Sequence, residues 1–187
     1  RSRLRRVEAE VLRDSILSAA GQLEMSMGGP PVPLEYLPTG EVLVARKGLE
    51  KPSARQRRSV YLLNRRIYNP SFLSVFDKPI VTGSVCQRPA SAVALQSLSM
   101  LNDQFVVEQA RHLATRVAAT AASTTAQIEQ LFRLTLSRSP VASELEFCQQ
   151  MLRDQVQLHR ASKSAETDAL AELCQAILNL NEQLYLE

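Results

Sequence analysis

The second half of the chain carries an apolar pattern of helical period, which runs from Ser91 almost to the last residue. Apolar residues recur three or four positions apart, and this spacing places them along one side of an α-helix. Successive helices are predicted around Leu95, Leu98 and Leu101; around Phe105, Val106, Gln109, Leu113 and Val117; around Ile128, Leu131, Phe132 and Leu136; around Leu145, Cys148, Leu152 and Val156; and around Leu170, Leu173, Cys174, Ile177 and Leu178. One-sided apolar faces and short connections predict an antiparallel helical bundle over residues 91–187.

Residues at the joints of this pattern are typical of helix ends. The candidate caps are Asn102 or Asp103 before the second of these helices and Ser123 or Thr124 before the third, and Pro140 fits the first turn of the fourth. A polar stretch, "HRASKSAET", separates the fourth helix from a last helix that is predicted to end near Asn181.

The first third of the chain is less regular, because glycine and proline interrupt it. Apolar spacing predicts a helix over residues 4–25, which "MGGPPVP" stops. Residues 28–58 read as an irregular insertion, and short strands at 41–45 and 59–63 are candidates to pair as a hairpin. A brief helix is expected around Phe72–Phe76. The fold class is therefore mainly α, a single domain over 1–187 with a small hairpin or irregular Gly/Pro-rich insertion.

Charge is unevenly distributed along the chain. Residues 1–66 hold 13 Lys or Arg and 7 Asp or Glu, a net charge of +6, whereas residues 67–187 carry a net charge of −3. The basic segment 46–66 also contains Tyr61, so nucleic-acid binding is a hypothesis that requires an uncovered positive stripe from Lys47 to Arg66. Because no nucleic-acid motif accompanies these charges, we favour the interpretation in which the basic region docks onto acidic helices.

Several classes of protein are disfavoured by the composition. No run reaches the roughly 18 apolar residues of a membrane span, and the Arg-rich start lacks the apolar stretch of a signal peptide. The histidines, His112 and His159, have no second His or Cys at ligand spacing, so neither a metal site nor a haem attachment is expected, and no cofactor is predicted for this segment. Cys148 and Cys174 occupy core positions of predicted helices.

Two carboxylates on the first helix are candidate catalytic groups. Glu10 and Asp14 are four residues apart, so both project from one face. The functional interpretation is a paired-acid site or a pair of metal ligands, assisted by Arg13 and by arginines of the basic segment. The alternative is an ion-pair network that joins the first helix to that segment, and it is favoured because such networks often resemble sites.

The remaining nucleophile candidate is Cys86, which lies in a predicted loop two residues before Arg88. A neighbouring cation acidifies a thiol, but no base accompanies this pair, so a small buried residue is the favoured interpretation. Arg88 and Gln96 are predicted to tie this loop to the first helix. The chain contains neither a G-x-S-x-G motif nor a phosphate-binding loop.

A set of motifs resembles one known family. The matching stretches are "RRVEAEVLRDSILSAAGQLEMSMGGPPV", "RQRRSVYLLNRR", "FLSVFDKP", "CQRPASAVALQSLSMLNDQFVVEQARHLATRV", "QIEQLFRLTLSRSPVASELEF" and "LCQAILNLNEQLYLE". They resemble a planctomycete domain of unknown function that forms the C-terminal domain of large proteins, after a cytochrome c-like domain and a second uncharacterised domain. The chain departs from that pattern at Ala94, Ser97 and Val141, the last standing where a Thr cap is usual.

The resemblance implies an exported, cell-envelope setting and a chain that is part of a larger protein, but it supplies no reaction. We expect a non-catalytic accessory or interaction domain whose partners are other domains of the same parent protein or an envelope polymer. The alternatives are a hydrolase-type or carbohydrate-active enzyme using Glu10 and Asp14 and, more weakly, a nucleic-acid binder. Candidate partner-binding residues are Arg13, Arg57, Arg58, Tyr61, Arg88, Gln96 and Asn102.

Overall fold

The computed structural model describes residues 5–49, 51–65, 68–79, 91, 94–161 and 164–186. The elements follow in chain order as β1 (Arg5–Arg6), α1 (Ala9–Ala19), β2 (Leu34–Tyr36), β3 (Val42–Val44), 3₁₀-helices at Pro52–Gln56 and Ser59–Tyr61, α2 (Ser71–Val75), α3 (Ala94–Asn102), α4 (Gln104–Thr120), α5 (Thr124–Leu136), α6 (Ala142–Leu158), α7 (Ala165–Leu178), α8 (Asn181–Leu184) and β4 (Tyr185–Leu186). The mainly helical fold with a small hairpin is confirmed.

Helix α4 lies at the centre of the molecule and packs against α7, α5, α3 and α1. Its buried apolar side chains, Val106, Ala110, Leu113, Ala114 and Val117, recur at helical spacing. They belong to one continuous core with the buried face of α7 and with apolar side chains of α1 and α2. The two ends of the described chain meet at this core, because β1 pairs antiparallel with β4. None of the described helices is both long and apolar enough to cross a membrane.

The first helix is shorter than its apolar pattern predicts, with Ala9–Ala19 in place of 4–25. The helix ends at Ala19, and Gly21, two residues later, has a φ of 70°, which suits a left-handed helix terminus. The Gly21 and Gln22 amides donate to the carbonyls of Ser18 and Leu17, closing the last turn. The glycines of "MGGPPVP" therefore lie beyond the helix end rather than at it.

The predicted hairpin exists, but one of its strands was wrongly assigned. Val42–Val44 forms β3 as expected, yet it pairs antiparallel with Leu34–Tyr36. The other candidate, 59–63, instead begins as a 3₁₀-helix, whose Ser59 amide donates to a carboxylate of α1. After that helix, Leu62 makes a parallel bridge with Val32.

The helices of the second half follow the predicted pattern, with two differences at particular residues. Pro140 precedes α6 instead of lying in its first turn, and Val141 occupies the N-cap position. In α3 the side chains of Leu95, Leu98 and Leu101 are about half exposed, whereas Gln96 and Met100 on the other side are buried.

Candidate functional site

Helix α1 places a buried arginine and a carboxylate against the basic segment. Arg13 is 3% exposed, and its guanidinium donates to the carbonyls of Arg55 (2.8 Å) and Arg57 (3.0 Å). The Asp14 carboxylate accepts from the amide of Ser59 at 2.8 Å and from its hydroxyl at 2.7 Å. Burial lowers the pKa of Arg13 to about 10, although neighbouring Asp14 favours its charged form. These contacts join α1 to the basic segment.

The two carboxylates predicted as a pair have different surroundings. Asp14 is bound by Ser59, while Glu10 lies half-buried one turn earlier on the helix. Neither residue lines either of the two clefts described below. Among the described residues, no group of three or more His, Cys, Asp or Glu side chains is arranged to hold a metal ion. Within the described part of the chain, Glu10 and Asp14 therefore lie outside both clefts.

A second buried arginine, Arg57, holds the glycine- and proline-rich loop. Its guanidinium donates to the carbonyls of Ser26, Gly28 and Pro30, and it stacks 3.9 Å from the centre of the Tyr61 ring. The Tyr61 hydroxyl accepts from the Gly28 amide, and this hydrogen bond lowers the pKa of Tyr61. Arg58 lies 5.6 Å from the same ring. Arg57 thus supplies the donors for three carbonyls of this irregular loop.

The loop held by Arg57 forms one side of an open groove, which we call the loop groove. The groove lies between residues 24–33 and the segments 48–49 and 51–57, and it holds about 1150 Å³ of empty space counting its open mouth. Met27 lines it and is 80% exposed. The Gly/Pro loop and part of the basic segment therefore converge on one surface.

A smaller cleft lies beside α1 and α4, and we call it the α1–α4 cleft. It holds about 660 Å³ of empty space counting its mouth, and its lining residues are Arg13, Leu17, Val42, Leu43, Val44, Arg46, Arg55, Gln56, Pro70, Phe72, Leu73, Asp103, Gln104, Phe105, Glu108 and Gln109. The Glu108 carboxylate lies 2.6 Å from the Arg55 guanidinium and 3.6 Å from that of Arg46. The side-chain oxygen of Gln109 is buried and has no hydrogen-bond partner in the described part of the chain.

Part of the described basic segment is engaged by the rest of the molecule. Arg55 and Arg46 contact the Glu108 carboxylate of α4, and Arg57 is buried beneath the Gly/Pro loop. Lys47 is exposed, and Arg66 lies outside the described residues.

A further polar cluster joins β1 to the segment after α2. Arg6 donates to Asp77 at 2.7 Å and to the carbonyl of Ser91 at 2.6 Å. Burial tends to raise the pKa of Asp77, but hydrogen bonds from Ser91 and Arg6 outweigh it and lower the pKa. The amide of Gln96 donates to the carbonyls of Val75 and Ser91. The predicted tie from Gln96 to the first helix is therefore wrong: Gln96 binds the end of α2.

Of the other candidate residues, Asn102 lines neither cleft, and two lie outside the described residues. Asn102 donates to the Leu98 carbonyl of its own helix, and it is Asp103 that caps α4 by accepting from the Phe105 amide. Cys86 and Arg88 lie outside the described residues. Cys148 and Cys174 are buried as predicted, and burial raises the pKa of both thiols.

Sequence reasoning missed the α1–α4 cleft as a site. Gln109 was recognisable, because it is a polar residue at a core position between Val106 and Leu113. The pairing of Arg46 and Arg55 with Glu108 was not recognisable, because Glu108 is more than fifty residues away along the chain.

No curated protein and no solved structure matches this chain. One family model matches residues 1–152, and that family is PSD1, a protein of unknown function (DUF1553). The match includes α1, the loop groove, the α1–α4 cleft and the first helices of the bundle. The chain therefore belongs to the PSD1 (DUF1553) family.

Proposed function

We propose that this chain is a non-catalytic accessory domain of a larger, exported cell-envelope protein linked to a cytochrome. Its loop groove binds another domain of that same protein. The observation that carries the proposal is the loop groove itself, an open surface whose walls are fixed by Arg57 and whose rim exposes Met27. A non-catalytic role is supported because Asp14 is engaged by Ser59 and neither cleft is lined by the carboxylate pair.

The chemistry of the groove suits an extended protein segment. Gly28 and Gly29 have φ values of 77° and 81°, and a side chain at either position would meet nothing within 4 Å. The backbone is therefore open to a close approach. Met27 offers a flexible apolar side chain, the kind of residue that packs against varied partner surfaces. Glu24 and Lys51 line the same groove and add charges of both signs.

Site-specific photo-crosslinking tests this proposal in the full-length parent protein in its native envelope. A benzophenone amino acid at Met27 is expected to crosslink to one defined stretch of another domain of the same chain. Phe147 provides the matched control, because it is 68% exposed on α6 and lines neither cleft.

Mass spectrometry of the crosslinked peptides distinguishes the outcomes. A defined intramolecular product at position 27, absent at position 147, supports the interaction domain. Crosslinks to envelope polysaccharide alone, equal products at both positions or no product at position 27 would each contradict binding of a sister domain.

The proposed setting has its own test in the parent reading frame. A C-x-x-C-H motif upstream of this segment, together with haem staining of the secreted protein, is the expected result. A parent without that motif, or one found only in the cytoplasmic fraction, would remove the cytochrome link or the exported setting. We propose no cofactor for the segment itself.

A further inference from the structure

We propose that the α1–α4 cleft is a binding site for a small carboxylic acid that has an apolar, ring-sized body and a hydrogen-bond donor at its other end. This site is separate from the loop groove, and the proposal does not rest on the interaction described above.

The walls of the cleft fit an apolar body. Leu17, Val42, Phe72 and Phe105 line it, and the two phenylalanine rings meet edge to face with centroids 5.3 Å apart. Phe76 also packs against Phe72, and the Arg13 guanidinium lies over the Phe105 ring, so the remaining edges of the two rings are what a further aromatic or alkyl group could contact. A cleft with apolar walls and a few convergent polar groups is the usual form of a small-molecule site.

The mouth of the cleft fits a carboxylate. Arg46 and Arg55 share the single carboxylate of Glu108, and the contact with Arg46 is long, at 3.6 Å. The lining holds three arginines against Asp103 and Glu108, so it carries one excess positive charge. Arg46 is partly exposed and free to turn toward a ligand, and a guanidinium binds a carboxylate with two parallel hydrogen bonds.

Gln109 is the most deeply buried polar residue of the cleft lining, and we call the part of the cleft beside it the inner end. Gln109 is 1% exposed, and its buried side-chain oxygen has no partner in the described part of the chain. An unpaired buried acceptor is unfavourable, and an O–H or N–H group on a ligand would satisfy it. Asp103, half-buried in the same lining, is a second acceptor, and its carboxylate also accepts from the Phe105 amide. The ligand therefore has its acid at the arginines and its donor toward α4.

Three probes of nearly the same size test each part of this assignment. 4-Hydroxyphenylacetate carries the acid, the ring and the donor; phenylacetate lacks the donor; tyramine replaces the acid with an ammonium group. Amide resonances of the folded chain are followed by NMR during titration. We expect 4-hydroxyphenylacetate to shift the amides of Val42–Val44 and Phe105–Gln109, phenylacetate to bind about fivefold more weakly, and tyramine to leave those amides unshifted.

Two variants separate the contributions of the mouth and the inner end. Arg46→Ala, at an exposed residue, should weaken binding of both acids about tenfold, and Arg153→Ala on α6 is the matched control that should change nothing. Gln109→Leu should remove the preference for the hydroxylated acid. Equal shifts by tyramine and the acids, shifts spread over the surface, unchanged binding by Arg46→Ala, or no shift at millimolar probe would overturn the proposal.

Discussion

The described residues before α3 and those from α3 onward are stabilised in different ways. From α3 onward, helices bury continuous apolar faces, and Leu113, Leu131 and Leu173 are almost completely buried. Before α3, apart from α1, each described regular element has two to five residues. There, Arg6, Arg13 and Arg57 each donate to two or more backbone carbonyls of distant residues.

The difference shows how a region with little regular sheet can be packed. A loop that approaches the core carries backbone carbonyls that need donors. An arginine supplies five N–H groups from one side chain, so a few arginines take the place of a hydrogen-bonded ladder. Part of the positive charge of residues 1–66 is thus structural, and it should not be counted as free surface charge.

Removal of a core aromatic side chain should have the largest effect. Phe132→Ala in α5 leaves a cavity at a residue that is 1% exposed, and we expect a loss of about 3–5 kcal/mol in the free energy of unfolding. Urea unfolding followed by circular dichroism measures it. Phe147→Ala, at an exposed position on α6, is the control and should change stability by less than about 0.5 kcal/mol.

Loss of the buried Arg13 should have the next largest effect and tests the comparison directly. Arg13→Met keeps the length of the side chain but leaves the carbonyls of Arg55 and Arg57 without their donor. We expect a loss of about 2–4 kcal/mol, measured by urea unfolding. Arg13→Lys should not restore it, because one ammonium cannot replace the guanidinium fork. A loss below that of the exposed Arg153→Met would mean that arginines do not hold this region.

The helices were predictable because periodicity depends only on neighbours in the sequence. Leu113 and Val117, or Leu173 and Ile177, share a face through their spacing alone. The ends of the helices were harder to predict. Helix α1 ends at Ala19, because Gly21 closes its last turn, although the apolar pattern continues through Leu23.

Contacts between distant segments were not predictable from spacing. The 59–63 stretch has β-forming residues, but Asp14 binds the Ser59 amide and a 3₁₀-helix forms instead. The predicted pair of Glu10 and Asp14 likewise followed from helix geometry alone, which gives no information about the distant Ser59 amide. Gln109 lay in the helical pattern, but the sequence does not show that Gln109 lines a cleft or that its side-chain oxygen has no partner among the described residues.

The capping of α4 gives a smaller effect and shows that the helical region also needs polar contacts at its ends. Asp103→Ala removes the side chain that accepts from the Phe105 amide at 2.8 Å, and we expect a loss of about 1 kcal/mol. Thermal unfolding monitored by circular dichroism is the measurement. Asn102→Ala is the control, because the exposed Asn102 side chain donates to the Leu98 carbonyl of its own helix and caps nothing in α4 among the described contacts. Equal losses from both substitutions would reject Asp103 as the specific cap.

The smallest expected effect lies at the start of α6, where Val141 cannot supply a capping side chain. Glu144 instead accepts from the Val141 amide and from Arg138, and these bonds lower the pKa of Glu144 to about 2. Because the folded pKa lies below the unfolded value of 4.5, the stabilisation is complete above pH 4.5 and is lost as pH falls toward 2.

Glu144→Gln should therefore flatten the dependence of unfolding free energy on pH between 4.5 and 2. The change at neutral pH should stay below about 1 kcal/mol, since the Glu144 side chain is 32% exposed and solvent screens the pair. Urea unfolding at several pH values measures the slope. In an Arg138→Ala background, the same substitution should alter the slope much less, because the arginine is the main cause of the lowered pKa. An unchanged slope in the Glu144→Gln chain would mean that the Glu144 carboxylate does not stabilise the start of α6. The region from α3 onward would then depend less on arginine contacts than the ion pair of Arg138 with Glu144 indicates, and its difference from the region before α3 would be larger.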